Sequence, residues 1–529
     1  MGPLAIAAIA VVAIMATLVF IGTAAAPAAS SAAADPAGWT VYHHDASGSG
    51  VTGSVAAVDS TRPRWTSTVL DGQLYGEPLV AGGRVYVATE NDTVYALSAL
   101  NGAVVWENHL GTPVTASSLP CGNIQPTVGI TGTPVIDESR GELFAVADEV
   151  VNGRSAHVLI GLSVASGKTE MTQDVDPGGV NTNALLQRTG LTLDAGQVVF
   201  GMGGNYGDCS TYRGRVVAVS ESGGPPVDFT VDAGAGQGEG AIWMGGGAPA
   251  VDGSGNIWVG VGNGSVTSAT HAYDYSDSVL ELSPSLRLLQ FFAPTSWASD
   301  NQRDLDLSME PALLSDGQVI IAGKSRTAYL LNGAHLGGIG GQLATRGSAC
   351  SDDIDGGSAV VGTIAYLPCL SGVIAVQADA SPARLRLLWS SGTGGGPPIV
   401  AAGQVWTIGQ NGVLYGLNPG TGAVQQQASV GTPANHFPTP SAGDGLLLAA
   451  AQNRVVAFAA SSPGATTTTA PAAATSTIPG TGAAGSATTS TTSKGPSSVT
   501  VAIVVLVGLA VVGAIGWLLW RRRRTTRSR

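Results

Sequence analysis

The side chains of this 529-residue chain that could bind or react are concentrated in a few loop-like stretches. Trp243 stands in GEGAIWMGGG, Asn205–Tyr212 read NYGDCSTY, and Asp300–Asp306 read DNQRDLD. Carboxylates, amides and aromatic rings gathered in this way suit ligand recognition by charge and stacking. Two acidic turns, SDDIDGG (Ser351–Gly357) and DGSGN (Asp252–Asn256), carry oxygens that suit calcium, but neither has the glutamate that closes an EF-hand loop. His43 and His44 are adjacent, so on an extended chain their side chains point apart. With no partner at ligand spacing, the pair reads as turn or packing residues. The glycine-rich pieces Gly203-Gly204, Gly245–Gly247, Gly337-Gly338 and Gly394–Gly396 are not followed by Lys-Ser/Thr, and so read as tight turns rather than phosphate loops. No Ser, His and Asp can be placed together as a triad, and no C-x-x-C-H heme motif is present.

What must position these residues is a repeat. Tyr75 to Trp106, YGEPLVAGGRVYVATENDTVYALSALNGAVVW, holds four short β-rich runs separated by three turn signals. Such a unit reads as a four-stranded antiparallel meander, which cannot bury both of its faces alone. The entry run recurs at Thr131–Asp137, Gly247–Asp252, Glu310–Gly317, Gly396–Gly403 and Thr439–Gly445, with proline-free copies at Thr189–Gly196 and Gly357–Gly362. Eight copies at roughly 40–60 residues fall in the period range of propeller blades. The intervening long loops are His109–Val128, Met171–Arg188, Gly204–Gly214, Asp232–Gly247, Asn263–Asp277 and Phe291–Met309.

The last copy has only three strands before the chain turns to Ser, Pro, Ala and Thr, while an orphan run, Pro63–Val69, precedes the first full copy. A closed ring would pair Arg64–Val69 with Arg454–Phe458 and leave no open sheet edge. The fold expected is all-β: an eight-bladed propeller of four-stranded antiparallel blades closed by the N- and C-terminal strands, with a C-terminal transmembrane helix added.

The phrase VYALSALNGAVVW resembles the repeat of propellers related to pyrroloquinoline quinone (PQQ), in which Ala-x-Asx-x-x-x-Gly-x-x-x-Trp docks each blade on the next. The match is clear at Ala96–Trp106, with Ser98 in the Asx place, partial at Gly161–Lys168 and Gly416–Val424, and interrupted by an insertion in Gly372–Trp389. The resemblance covers roughly Trp39 to Ala460. It implies blade-docking roles for Ala96, Gly102, Trp106, Gly167, Trp389 and Gly422. The same repeat serves quinone dehydrogenases, outer-membrane assembly lipoproteins and surface proteins, so it is specific for fold and not for activity. A dehydrogenase would need an aromatic floor, a cation beside the quinone carbonyls, calcium and a base. Lys324 in AGKSRTAYLLN looks like the lysine of the family's G-K-x-G-x-x-Y segment, although Ser-Arg-Thr follows it. Trp243 is the candidate floor, and Asp304 and Asp306 are the candidate bases or ligands. The vicinal cysteine pair of alcohol-oxidising relatives and an obvious calcium set are missing.

Composition narrows the setting. Glycine numbers 75 and charged residues are 11 %, which suits tight turns and sheet cores rather than long surface helices. Outside the last nine residues there are 18 basic against 36 acidic side chains, a balance that argues against nucleic acid as partner. Residues 1–34 read as a signal peptide or an N-terminal anchor, and 35–460 as the PQQ-like propeller. Residues 461–498 read as a disordered Thr/Ala/Ser/Pro-rich stalk, 499–520 as a transmembrane helix and 521–529 as a basic cytoplasmic tail. That order predicts a single-pass protein of the cell membrane with its propeller outside. Four cysteines in an exported chain predict two disulfides, Cys350 with Cys369 within one blade and Cys121 with Cys209 between neighbours.

The function expected is a membrane-anchored, non-catalytic ectodomain that binds a surface protein, a glycan or a small ligand, with no cofactor. The alternatives are a PQQ- and calcium-dependent alcohol or sugar dehydrogenase and an envelope assembly factor. The candidate ligand-binding residues are Lys324, Trp243, Asp304 and Asp306; no catalytic residue is assigned, and the metal is left open.

Overall fold

The computed structural model of the chain describes residues 38–460. Within them the β-rich runs of each copy pair antiparallel into one sheet, and eight such sheets follow one another along the chain. Blade one is Leu79–Ala81, Arg84–Ala88, Thr93–Ser98 and Val104–His109. Blades two and three begin at Val135–Asp137 and Thr192–Asp194, and blades four and five at Ala250–Val251 and Ala312–Leu313. Blades six, seven and eight begin at Ala359–Val361, Ile399–Ala401 and Ser441–Gly443. Two sheets carry a fifth short strand: Leu185–Leu186 beside blade three, and Gly338–Ile339 parallel to the outer strand of blade four. The inner strands are buried, whereas outer strands such as Val104–His109 and Val424–Ser429 alternate exposed and half-buried residues, as a sheet edge facing solvent should.

The ring closes as expected. Trp65 and Thr66 pair with Ala457 and Val456, and the amides of Arg64 and Ser67 donate to Ala457 and Val455 at 2.7 and 2.9 Å. The orphan strand therefore supplies the fourth strand of blade eight. No sheet edge is then left where the two ends of the described chain meet.

One device recurs between blades. Gly102, Gly167 and Gly422 adopt φ near +70°, each in the turn between the third and outer strands of its blade. A tryptophan from the preceding blade lies where their side chains would be: a Cβ on Gly167 would come within 2.4 Å of the Trp106 ring. The indole N–H of Trp106 donates to Val164 O at 3.0 Å, and Trp389 does the same to Pro419 O at 2.8 Å over Gly422. Trp65, which the repeat reading did not single out, packs on Gly102 and donates to Ala99 O at 2.9 Å, so the same contact spans the closure. Ala96 is fully buried opposite Trp106, and the register of the third and outer strands shifts directly after it.

Both disulfides form in the expected pairing, Cys121–Cys209 and Cys350–Cys369. The fold class needs one correction. Among the described residues the α-helix is the five-residue Trp297–Asn301, and no helix is long and apolar enough to cross a membrane. Backbone polar groups here are satisfied by strand pairing, so the described fold is all-β, and the expected transmembrane helix is not part of it. The segment 499–520 lies outside the described residues, as do 1–34, the stalk and the tail.

Candidate functional site

The inner strands of the ring are bridged by the chain's own N-terminal stretch, Trp39–Thr52. Its carbonyls accept from the inner strands of five blades: Trp39 from Val80, Thr40 from Ile136, Ala46 from Val251, Ser49 from Val360 and Gly50 from Val400. The Tyr42 hydroxyl accepts from Gly357 N at 3.1 Å and lies 3.4 Å from Thr439 Oγ1. His43 stacks on Tyr42 with ring centroids 4.4 Å apart, and its amide donates to Glu77 Oε2 at 2.9 Å. His43 and His44 both take positive φ and are buried, which places the histidine pair in the turns and packing of this stretch. Burial drives the His43 pKa down to about 3, so the ring is neutral.

Blade connections and a turn within blade five bring the predicted residues together. Lys324 stands in the turn between Gln318–Ile321 and Ala328–Asn332 of blade five; Asp304 and Asp306 lie in the connection from blade four. Its ammonium is 2.7 Å from Asp306 Oδ2 and 2.8 Å from Asp304 Oδ1. Burial opposes the charge on Lys324, but Asp306 and the bonds to both carboxylates outweigh it and raise the pKa. Trp243, from the connection between blades three and four, donates its indole N–H to Asp306 Oδ2 at 3.2 Å and lies beneath Lys324 Nζ, 5.5 Å from the ring centroid. The amide of Asn263 donates to Asp306 Oδ1 at 2.7 Å. Asp306 is thus held from three segments at once: the connection between blades three and four, a loop within blade four and a turn within blade five.

Sequence reasoning missed the other half of the site. Arg188 is buried, its guanidinium 5.8 Å from the Tyr75 centroid and 5.9 Å from that of Phe437. Its Nη2 donates to Asn435 Oδ1 at 2.7 Å. Among the described residues no carboxylate stands within ion-pair distance of it. Burial lowers its pKa, partly offset by Tyr75 and Glu90. Phe437 in turn meets Trp243, centroids 5.7 Å apart. The Gly245–Gly247 run is what allows this packing. Gly246 has φ +94°, and a Cβ there would lie 2.5 Å from Arg188 Nη1. The only sequence signal was an arginine immediately before the degenerate entry strand of blade three, at the end of a long loop.

The remaining candidates serve the scaffold. Asp252 accepts from the amides of Ser254 and Asn256 and from the Trp258 indole, which makes DGSGN an ordinary Asx turn. Asp355 bonds to Ser308 Oγ. In the NYGDCSTY loop, Asp208 accepts from the Tyr212 hydroxyl at 2.7 Å and is near enough to feel Asp306, Asp304 and Lys324, while Asn205 and Tyr206 line a cleft with Cys121, Gly122 and Ile124.

These residues do not fit PQQ as they are arranged. A planar quinone needs an open indole face, but Lys324 covers Trp243 and Phe437 packs against it. The charge of Lys324 is already matched by Asp304 and Asp306. Among the described residues no three His, Cys, Asp or Glu side chains converge at metal-binding spacing.

The geometry so far defines a class, the eight-bladed β-propeller with an axial site ringed by blade-connecting loops. Residues 38–225 match the family model described as outer membrane protein assembly factor BamB. Solved structures of similar fold include two quinohemoprotein alcohol dehydrogenases, from Pseudomonas putida HK5 and from Comamonas testosteroni. Each has a TM-score of 0.60, at 13% and 14% identity, with 80% of each chain covered. A europium-containing methanol dehydrogenase aligns with a TM-score of 0.58 at 14% identity, over 80% of this chain and 98% of the other. At these identities the likeness is one of fold. No curated protein matches the sequence. Fold and matched repeats together support the resemblance to the PQQ-like β-propellers.

Proposed function

We propose that the chain is a binding propeller that works outside the cytoplasm and engages its ligand or protein partner at the axial face around Arg188, Trp243, Lys324 and Asp306. The observation that carries this reading is Arg188: a buried guanidinium between two aromatic rings, bonded to an amide and, among the described residues, with no carboxylate at ion-pair distance. A cation so placed favours an anionic group brought to it over a structural ion pair. The two disulfides support an oxidising compartment. In this reading the axial side chains bind and orient; they transfer no hydride.

A dehydrogenase is the rival that chemistry separates most cleanly. Purified protein titrated with PQQ and Ca²⁺ should show no saturable quinone absorbance change and no dye reduction with alcohols or sugars. Saturable uptake with turnover would replace the proposal by the enzyme. An assembly role is favoured by the family model over residues 38–225. It predicts co-purification of envelope proteins that survives Arg188→Met, whereas axial-face binding is lost in that variant.

A further inference from the structure

At the junction of blades three and four lies a second polar cluster that the axial site does not use. Asp232 follows the outer strand Val227–Thr230 of blade three, and Asp274 precedes the strand Ser278–Leu282 of blade four. Both are buried, Asp232 to 1 % exposure, and the amide of Asp232 donates to Asp274 O at 3.2 Å. Their carboxylates converge beside Gly264: Oδ2 of each ends 2.9 Å from where a Cβ on that glycine would stand. Gly240 leaves room on the other side, since its Cβ would lie 3.1 Å from Asp232 Oδ2.

The donors that should meet these oxygens are missing. Neither oxygen of Asp232 accepts a hydrogen bond, and neither does Oδ2 of Asp274, although Oδ1 of Asp274 takes the Ser276 hydroxyl at 2.5 Å. Arg213 is near enough to be felt by Asp232, yet its Nη2 is bonded to the carbonyls of Gly234 and Gln237. Buried carboxylates without donors are rare because each loses its hydration with no return. Two of them facing one another require either a shared proton or a cation. The surroundings favour the cation: Glu239 adds negative charge felt by Asp232, and Asp277 lies near enough to Asp274 for the two charges to interact.

We infer that Asp232 and Asp274 form a binding site for a hard divalent cation of the calcium class, which clamps the loops of blades three and four together. Two carboxylates with waters completing the shell match the all-oxygen coordination such ions take. The ion would tie Asp232–Gly247 to Asn263–Asp277, the loops that also carry Trp243 and Asn263 into the axial site.

The test uses the full chain stripped of metal by a chelator. Tb³⁺ excited through tyrosine should give saturable emission, since Tyr273 and Tyr275 flank Asp274, and Ca²⁺ should displace it. Ca²⁺ at 100-fold over its dissociation constant should raise the melting midpoint by roughly 3–5 °C. The double variant Asp232→Asn with Asp274→Asn should lose both responses while melting higher than the stripped wild type, because the repulsion is gone. Absent emission and an unmoved midpoint in the wild type would overturn the site. So would responses retained in the double variant, or an infrared band of a protonated carboxyl that disappears with Asp232→Asn.

Discussion

Trp106 of the first blade lies flat over Gly167 of the second, so close that a methyl group on the glycine would stand 2.4 Å from the ring. The glycine is needed twice, for its φ of +71° and for the space it leaves. Trp106→Ala removes this packing and the indole bond to Val164, and should cost about 3–5 kcal/mol. Gly167→Ala should destabilise by at least about 1 kcal/mol from the backbone alone, with the steric clash added. Chemical denaturation of the two variants checks both figures. Equal stability of Gly167→Ala and wild type would contradict the docking geometry.

The closing strand should behave as part of blade eight and not as a tail. Trp65→Ala deletes the same contact on Gly102 that Trp106 makes on Gly167, so its penalty should be of the same size, about 3–5 kcal/mol. Hydrogen exchange should show the amides of Ser67 and Val455 protected together and released together. Independent opening would mean the ring is not closed by this strand.

His157 predicts a pH dependence. Burial works against its protonation, but Asp148 at 3.8 Å and Asp176 at 2.8 Å prevail and raise its pKa to about 9. The folded state therefore prefers the protonated ring. Its stabilising contribution is complete below the unfolded value near 6.5 and is lost as pH rises through about 9. Thermal midpoints should fall across that window, and His157→Gln should remove this part of the slope while costing roughly 3 kcal/mol at neutral pH. A variant with an unchanged pH profile would refute the assignment.

Lys324 should matter for stability as well as for binding. Asp306 is almost fully buried, and Lys324→Ala would leave its carboxylate with only the Trp243 indole and the Asn263 amide. Loss of roughly 3 kcal/mol is expected, with much of it recovered in Lys324→Ala/Asp306→Asn. A double-mutant cycle by denaturation measures the coupling directly.

Each disulfide should contribute by restraining the unfolded chain. The pair Cys350–Cys369 encloses a separation of 19 residues and Cys121–Cys209 one of 88, for which loop entropy suggests about 3 and about 4.5 kcal/mol. Cys→Ser pairs should therefore rank in that order, with the longer loop the more costly.

Much of this molecule is written locally in its sequence. Turn residues at fixed offsets mark every blade, and the two degenerate copies, Thr189–Gly196 and Gly357–Gly362, still begin blades three and six. The closure and the cysteine pairs follow from strand count and blade adjacency, which repetition makes readable. Lys324, Trp243, Asp304 and Asp306 could be named because each sits in a marked turn or a long loop. That one ammonium and one indole would both meet Asp306 could not be read from them. The axial contents were hidden for a physical reason. An axis is where eight repeats meet, so its residues come from loops with no fixed spacing: Tyr42 meets Thr439 across a separation of 397 residues, and Arg188 meets Asn435 across 247. Periodicity reports what a blade does with its neighbours. Only closure in three dimensions decides which side chains face one another across the ring.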